Sequence, residues 1–293
     1  MDVIARVWRH PAVGETVLGT DVRVSPGGKG GNQAVAAARL GAATAMVGRV
    51  GTDSFGDSLL EFLAAEGVAV AGVARTAGAP SGTALIVVDR GSENSIVVVP
   101  GANATMEVAD LGVSFEPGDV VVAQFEIPLP VVHAALSRAR DGGALTILNP
   151  APALPECGDV LGLADVVVVN ESELRFLVSA DRPPSTLDDA VPLARRLRRR
   201  PDQVVIATLG PLGAVAVVGS EVVAVEGHRV EAVDSTGAGD CFVGVLAASL
   251  WRGADMADAL RFANLAASIS VQRPGAGPSM PSLADVNAAT QTP

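Results

Sequence analysis

Short runs of β-branched and apolar residues recur at 84–89, 95–99, 119–123, 144–148, 165–169, 203–208, 214–218 and 221–225. Bounded by turn-forming positions, such runs predict strands. Between many of them the apolar positions return with a helical period, over 32–40, 54–66, 130–140, 187–200, 239–250 and 255–271, which predicts helices with one buried face. Strand and helix alternate through the middle of the chain, so right-handed βαβ units around a mostly parallel sheet are expected. Two stretches break that rhythm. Residues 3–24 and 81–100 carry strand patterns with no intervening helix, and Asp89-Arg90-Gly91-Ser92-Glu93 reads as a hairpin loop. They predict a small accessory sheet over the carboxyl ends of the main strands, where α/β proteins bind ligands. The tail, 283–293, is expected to be loosely held.

Length and composition narrow the class. The 293 residues correspond to about one or two domains. Apolar residues make up 49% against 18% charged, too much core material for a disordered chain. With a net charge of -11, no Tyr and 3% aromatics, the chain lacks the basic footprint and stacking platforms of a nucleic-acid binder. A membrane partner is not expected either, since no apolar run approaches the roughly 20 residues that cross a bilayer. The N-terminus lacks a secretory signal pattern. Cys157 and Cys241 fit no zinc or disulfide spacing, and a reducing, cytoplasmic setting is the expectation.

No HExxH, GxSxG or GxxxxGK[ST] motif occurs, and His10, His133 and His228 are scattered, which argues against a metalloprotease, an α/β-hydrolase, a P-loop enzyme or a histidine metal cluster. The dense basic run at 195–200 closes a predicted helix, where the macrodipole favours cations, and is read as a solvated helix end. One compositional oddity stays unexplained by these readings. Of the 21 basic residues, Lys29 is the single lysine.

Two segments carry chemistry. The first is Pro26-Gly27-Gly28-Lys29-Gly30-Gly31-Asn32-Gln33, followed by the small-residue helix at 34–38. So many glycines predict a tight turn and a close backbone approach to a ligand, and Lys29 and Asn32 at a helix start suit a polyhydroxylated or anionic small molecule. A plain glycine-rich connection is the alternative. The lone lysine favours the ligand, because it places a point charge where the rest of the chain uses planar arginine forks. The second segment is Asp234-Ser235-Thr236-Gly237-Ala238-Gly239-Asp240-Cys241-Phe242. Gly237, Ala238 and Gly239 can present backbone N–H groups at the positive end of a helix, an anion hole. Asp240 beside it is explicable as a base taking a proton from an attacking hydroxyl, or as an ordinary capping acid.

Together the two segments resemble the signatures of the ribokinase family, also called the phosphofructokinase-B family of sugar and nucleoside kinases. The likeness covers essentially the whole chain and includes Pro100-Gly101-Ala102-Asn103, Asn149-Pro150-Ala151-Pro152, Asn170-Glu171-Ser172-Glu173 and Thr208-Leu209-Gly210. The resemblance implies a single three-layer α/β/α kinase domain over 1–293, with a mostly parallel central sheet and a small β-sheet lid from about 3–24 and 81–100. It implies ATP-dependent phosphorylation of a sugar primary hydroxyl, with D-ribose to D-ribose 5-phosphate expected first. Another sugar, sugar phosphate or nucleoside, or a catalytically silent sugar-binding homologue, are the alternatives.

Carried over by position, the resemblance makes Asp240 the general base and Gly237, Ala238 and Gly239 the anion hole. Asp2, Gly28, Lys29, Asn32 and Glu126 would hold the sugar. Asn170 and Glu173 would face Mg²⁺ and the phosphates, with Thr208, Gly210, Gly213, Gly239 and Asn264 at the nucleotide. Asp234, Thr236, Ser270, Arg273, Gly275 and Ser279 occupy the places of a monovalent-cation site, implying K⁺. A homodimer through the lid is expected from the same source. The chain opens at Met1-Asp2, where the family has an apolar strand ending in G-x-x-N-x-D. The first core strand is therefore expected to be missing, and a start placed too far downstream is the favoured reason over a genuinely shortened enzyme.

Overall fold

The β-branched runs that dominate the sequence build the middle of the molecule, and the glycine-rich segments lie at its edges. In the computed structural model, which describes residues 1–91 and 93–290, the chain opens with β1 (Asp2–Val7), β2 (Gly19–Ser25), α1 (Lys29–Arg39), β3 (Ala45–Gly51), α2 (Ser54–Ala65) and β4 (Ala69–Thr76). β5 (Thr83–Val88), β6 (Asn94–Val99), β7 (Val120–Gln124), α3 (Leu129–Asp141), β8 (Leu145–Asn149), α4 (Gly158–Leu161) and β9 (Val166–Asn170) follow. The second half contains α5 (Glu171–Leu177), α6 (Leu187–Leu197), β10 (Val204–Thr208), β11 (Gly213–Val218), β12 (Glu221–Glu226), α7 (Ala238–Trp251), α8 (Met256–Ser270) and α9 (Leu283–Thr290).

Six strands form the main sheet in the order β12-β11-β10-β9-β8-β7. β7 to β10 run parallel, and β11 and β12 close the far edge as antiparallel strands. β9 explains why its sequence is an unbroken valine run. Val166 and Val168 point into a core shared with α1, α7 and α8, whereas Val167 and Val169 point into a second core under α3, α5 and α6. A strand covered on both faces needs apolar residues at every position. This is the mostly parallel α/β arrangement expected from the sequence.

The main sheet stops at β7. β3 and β4 form a separate parallel pair, and α1 packs against both β3 and β7. On the other face, Val47 of β3 joins Val131 and Ala135 of α3 in a small core. The two sheets thus lie between shared helices, and no ladder bond joins β3 to β7 among the described residues. Val120 and Val122 of β7 are only partly buried, whereas the valines of β9 are fully so.

A third sheet, of order β2-β1-β5-β6, corresponds to the predicted accessory strands. Its root is fixed by Asp53, whose carboxylate accepts from the Gly56 amide at the start of α2 and from the Ser81 amide and hydroxyl at 2.8 and 2.6 Å. The Asp89 loop is a hairpin, with Asp89 Oδ1 accepting from the amides of Gly91 and Glu93; Ser92 lies outside the described residues.

Two expectations need correction. The helix predicted over 187–200 ends at Leu197, because Arg198 is extended (φ -53, ψ 135) ahead of the chain's turn at Pro201. The tail is not loosely held over 283–290. It forms α9, with Val286 fully buried and Asp285 paired to Arg273 at 3.1 Å; burying such a side chain contributes about 1.5–3 kcal/mol. Residues 291–293 lie outside the described residues. Among the described residues no helix is long and apolar enough to cross a membrane.

Candidate active site

The site is assembled by two helices that approach closely. At Gly244 of α7 an added Cβ would fall 2.3 Å from the Gln33 carbonyl oxygen and 2.7 Å from the Ala36 Cβ of α1. The alanine run of α1 and the glycine of α7 therefore let the two backbones meet. As a result the first turn of α1 reaches the first turn of α7. Asn32 Nδ2 donates to Asp240 Oδ2 and Gln33 Nε2 to Asp240 Oδ1, each at 2.9 Å. Gln33 is itself fixed, since its Oε1 accepts from Gln124 Nε2 at 2.5 Å and its Nε2 reaches Asn149 Oδ1 at 3.2 Å. Asn149 in turn donates to the Val168 carbonyl at 2.9 Å. Polar residues at the carboxyl ends of β7 and β8 thereby hold the Asp240 carboxylate in one orientation. Burial raises its pKa, opposed by the Lys29 charge and the two amides.

Beside Asp240 the backbone turns through Gly237, in the left-handed region at φ 78. A side chain there would also meet Ala276, whose Cα would be 3.0 Å from the new Cβ. First-turn amides of a helix have no intrahelical acceptor. That of Ala238 closes a turn onto the Ser235 carbonyl at 3.2 Å, so Gly239 and Asp240 supply the helical amides open to an anion. A cavity of about 170 Å³ lies in front of them. Lys29, Asn170, Glu173 and Thr208 line it together with the 237–240 turn, and so do Asn149 and Ser235, which the sequence reading had not assigned to the site.

On the adjoining side Glu126 Oε2 accepts the Lys29 backbone N–H at 2.8 Å, across Gly28 at φ 95. Asp2 is buried against Gly27, and its carboxylate accepts no hydrogen bond among the described residues. Burial raises the pKa of Asp2 and Glu126, and the charge on Asp240 raises both further. Three carboxylates thus face one region, opposed by Lys29 at Glu126 and Asp240 and by the Met1 α-ammonium at Asp2 and Glu126.

The remaining expected positions divide. Asn170 and Glu173 form a capping box at the start of α5, with Asn170 Oδ1 accepting from Glu173 N at 2.8 Å and Glu173 Oε2 from Asn170 N at 2.9 Å. One Glu173 oxygen is left for the cavity, and burial raises that carboxyl's pKa. Gly210 and Gly213 flank the turn between β10 and β11 and do not line the cavity. Nor does Asn264, whose amide donates to the Glu226 carbonyl at 2.9 Å. Asp234 joins the anion-hole segment to the 273–277 loop by accepting from Thr236 N and Gly275 N at 2.9 Å. Ser270, Arg273 and Ser279 lie on the same loop and helix end, with the Ser270 and Ser279 hydroxyls turned onto the Ala267 and Ala276 carbonyls. Cys241, next to Asp240, is a packing residue whose thiol burial pushes up to about 12.

Gln33 and Asn149 lie within the motifs named above without an assigned role, and Gln124 lies two residues before Glu126. The available signal was a polar side chain in each of three otherwise apolar or small-residue elements.

A floor of this kind can take a proton from a hydroxyl while the neighbouring amides accept developing negative charge, which is the division of labour of a phosphotransferase acting on an alcohol. The comparisons agree with that class. The description "pfkB family carbohydrate kinase" matches residues 1–283, and the chain belongs to this family of carbohydrate kinases. It is 41% identical to a ribokinase of Bacillus subtilis, over 98% of this chain and 94% of that one. Among solved structures it is similar to a ribokinase of Thermotoga maritima, with TM-score 0.87 and 30% identity over 99% and 96% of the two chains. A ribokinase of Arabidopsis thaliana complexed with ribose and ATP also matches, with TM-score 0.87 and 29% identity over 100% and 96%.

Proposed function

We propose that the protein transfers the γ-phosphoryl group of ATP to the primary hydroxyl of D-ribose, giving D-ribose 5-phosphate. The observation that carries this reading is the Asp240 carboxylate, held by Asn32 and Gln33 at the start of an open helix turn. Asp240 takes the hydroxyl proton, and the oxygen attacks phosphorus in line with the departing ADP oxygen. The Gly239 and Asp240 amides and Gly237 take up charge on the transferring group. Asp2, Glu126 and Asn32 orient the sugar. Asp2 in particular is a buried acceptor without a donor, the partner a polyol supplies.

The charge pattern favours an unphosphorylated sugar. A second phosphate would meet Asp2, Glu126 and Asp240, and the arginines of the lid region that could clamp it are engaged: Arg23 pairs with Asp21 at 3.0 Å, and Arg90 lies 4.4 Å from the Trp8 ring centroid. Thr208, Gly210, Gly213 and Asn264 are assigned to the nucleotide. The donor sets fit two cations. Asn170 and the free Glu173 oxygen suit a Mg²⁺ ion held largely through waters, which would neutralise phosphate charge, and backbone oxygens at Asp234, Thr236, Ser270, Arg273, Gly275 and Ser279 would suit K⁺.

A coupled ADP-release assay over pentoses, 2-deoxyribose, hexoses, sugar phosphates and nucleosides tests the assignment. D-Ribose is expected to give the highest kcat/KM. A folded sample with no sugar-dependent turnover would defeat it.

The same reading includes a single catalytic unit in the cytoplasm and a homodimer through the lid. By register, Val22 and Val24 of β2, Val3 and Ala5 of β1, Leu85 and Val87 of β5, and Val97 and Val99 of β6 share one face. Val22 and Val97 are 65% and 60% exposed. Thr83 and Ser95 are polar members of this face, which is otherwise apolar over four strands, the mark of an interaction surface. Val97→Lys is expected to convert a dimer to a monomer in light scattering; an unchanged mass would remove this face from the interface.

A further inference from the structure

Of the basic run, only one member is left over once the fold has formed. Arg195 donates to the Ser220 carbonyl at 3.1 Å, Arg196 to that of Val178 at 2.6 Å and Arg198 to that of Gly219. Arg200 reaches the Gly162 carbonyl and the Asp165 carboxylate, each at 2.8 Å. The Arg199 guanidinium has no hydrogen-bond or ion-pair partner among the described residues; only its backbone is bonded, to Gln203. Arg175 is nearly as free, with a long 3.4 Å contact from Nε to the Asp181 carbonyl. Outside the run, eight arginines find a carboxylate among the described residues. Arg175 and Arg199 are thus left without a carboxylate partner among the described residues.

Both line the same cleft, of about 400 Å³, together with Leu161 and Phe176. Phe176 is 46% exposed in a chain with few aromatics. The cleft shares no lining residue with the Asp240 cavity. Its size falls within the usual range for small-molecule sites, about 300–1,000 Å³. A pair of guanidinium forks matches phosphate or carboxylate oxygens, and an aromatic ring matches a flat apolar body. We propose that this cleft is a second binding site, for a small organic anion with a phosphate or carboxylate head on an aromatic or apolar body. Arg175 and Arg199 hold the head, and Phe176 covers the body. α5 connects it to the active cavity, because Asn170 and Glu173 at the start of that helix face one and Arg175 and Phe176 near its end face the other.

The test is calorimetric titration of the intact protein with phenyl phosphate, benzoate and inorganic phosphate. Phenyl phosphate is expected to bind once per chain with Kd of about 1 mM or tighter. Arg199→Ala and Arg175→Ala should each weaken it about tenfold or more, with unchanged Tm and unchanged sugar-dependent turnover, and Lys29→Met in the active cavity should not weaken it. Phe176→Ala should weaken phenyl phosphate but not inorganic phosphate. Benzoate binding that is lost in the arginine variants extends the site to carboxylates, and benzoate that does not bind confines it to phosphates and overturns the carboxylate arm. Absence of phenyl phosphate binding up to about 10 mM overturns the proposal. So does binding lost in Lys29→Met but kept in both arginine variants, which would place the anion in the active cavity. Inorganic phosphate binding as tightly as phenyl phosphate overturns the role of the apolar wall.

Discussion

Asp240→Asn is expected to lower kcat about 10²–10⁴-fold, the usual worth of a positioned general base, while the sugar KM changes only a few-fold. The amide has the same shape but cannot take a proton. It also presents an NH₂ group where the carboxylate accepted from two donors, so one of the facing amides must turn. Gln33 is locked by Gln124 and Asn149, and Asn32 is therefore the one to rotate.

The variant's stability should move the other way. Burial raises the folded-state pKa of Asp240, so ionisation is disfavoured in the folded chain. As the pH rises above the unfolded value, the raised folded value makes the parent lose stability relative to a neutral side chain at this position. Asn carries no such charge, and the ligand-free variant should unfold at a Tm no lower than the parent. The difference should close as the pH falls below the unfolded value, where the parent carboxyl is protonated in both states. The same shift moves the acid limb of the parent's kcat/KM profile above the ordinary aspartate range. Steady-state kinetics and thermal unfolding on one preparation check all three. A kcat within tenfold of the parent, or a loss of activity that tracks a fall in Tm, would remove Asp240 from the role of base.

Gly237→Val is expected to cost about 10²–10³ in kcat, as loss of an oxyanion-hole donor does. Two effects combine. The φ of 78 is one that a β-branched residue adopts only with strain, about 1–3 kcal/mol, and the new side chain would press on Ala276, whose Cα lies 3.0 Å from the Cβ position. Relief of either moves the turn that aims the Gly239 and Asp240 amides. It also pulls on the Asp234 carboxylate, which spans from Thr236 to Gly275. Because the sugar side, at Asp2, Gly28 and Glu126, belongs to other elements, sugar affinity measured by calorimetry should be nearly unchanged. A parallel loss of sugar binding would show that the damage is to the fold rather than to the hole.

How much of this the sequence disclosed follows from the physics of each element. The strands from β5 to β12 were legible because each is dense in valine or isoleucine. β3 and β4 were not, since AMVGRVG and AVAGVART mix glycine, alanine and arginine with few β-formers, and only packing beneath α1 and α2 makes them strands. α5 was hidden by its shortness, although its capping box was on the page as Asn170-Glu171-Ser172-Glu173. In the site, Asp240, the 237–239 turn and Lys29 announced themselves by contiguity, because a turn that presents amides must be written in adjacent residues. Gln33, Gln124 and Asn149 form a network whose members are 91 and 116 residues apart, and separation of that kind is resolved only by the fold. Arg199 is the extreme case. Nothing in a run of arginines tells which one will be left without a carbonyl to bind.

The interruption between β3 and β7 has a bearing on how the protein behaves in a tube. Among the described residues β3 is laddered only to β4 and β7 only to β8, and an unpaired strand edge is a template for any extended segment that meets it. Handling at high concentration should therefore favour intermolecular strand addition, visible as a concentration-dependent gain in β-type circular dichroism and thioflavin fluorescence that salt does little to suppress. Lysine at an exposed position of β3, such as Ala45, would act as a gatekeeper, separating this route to self-association from the apolar face of the lid.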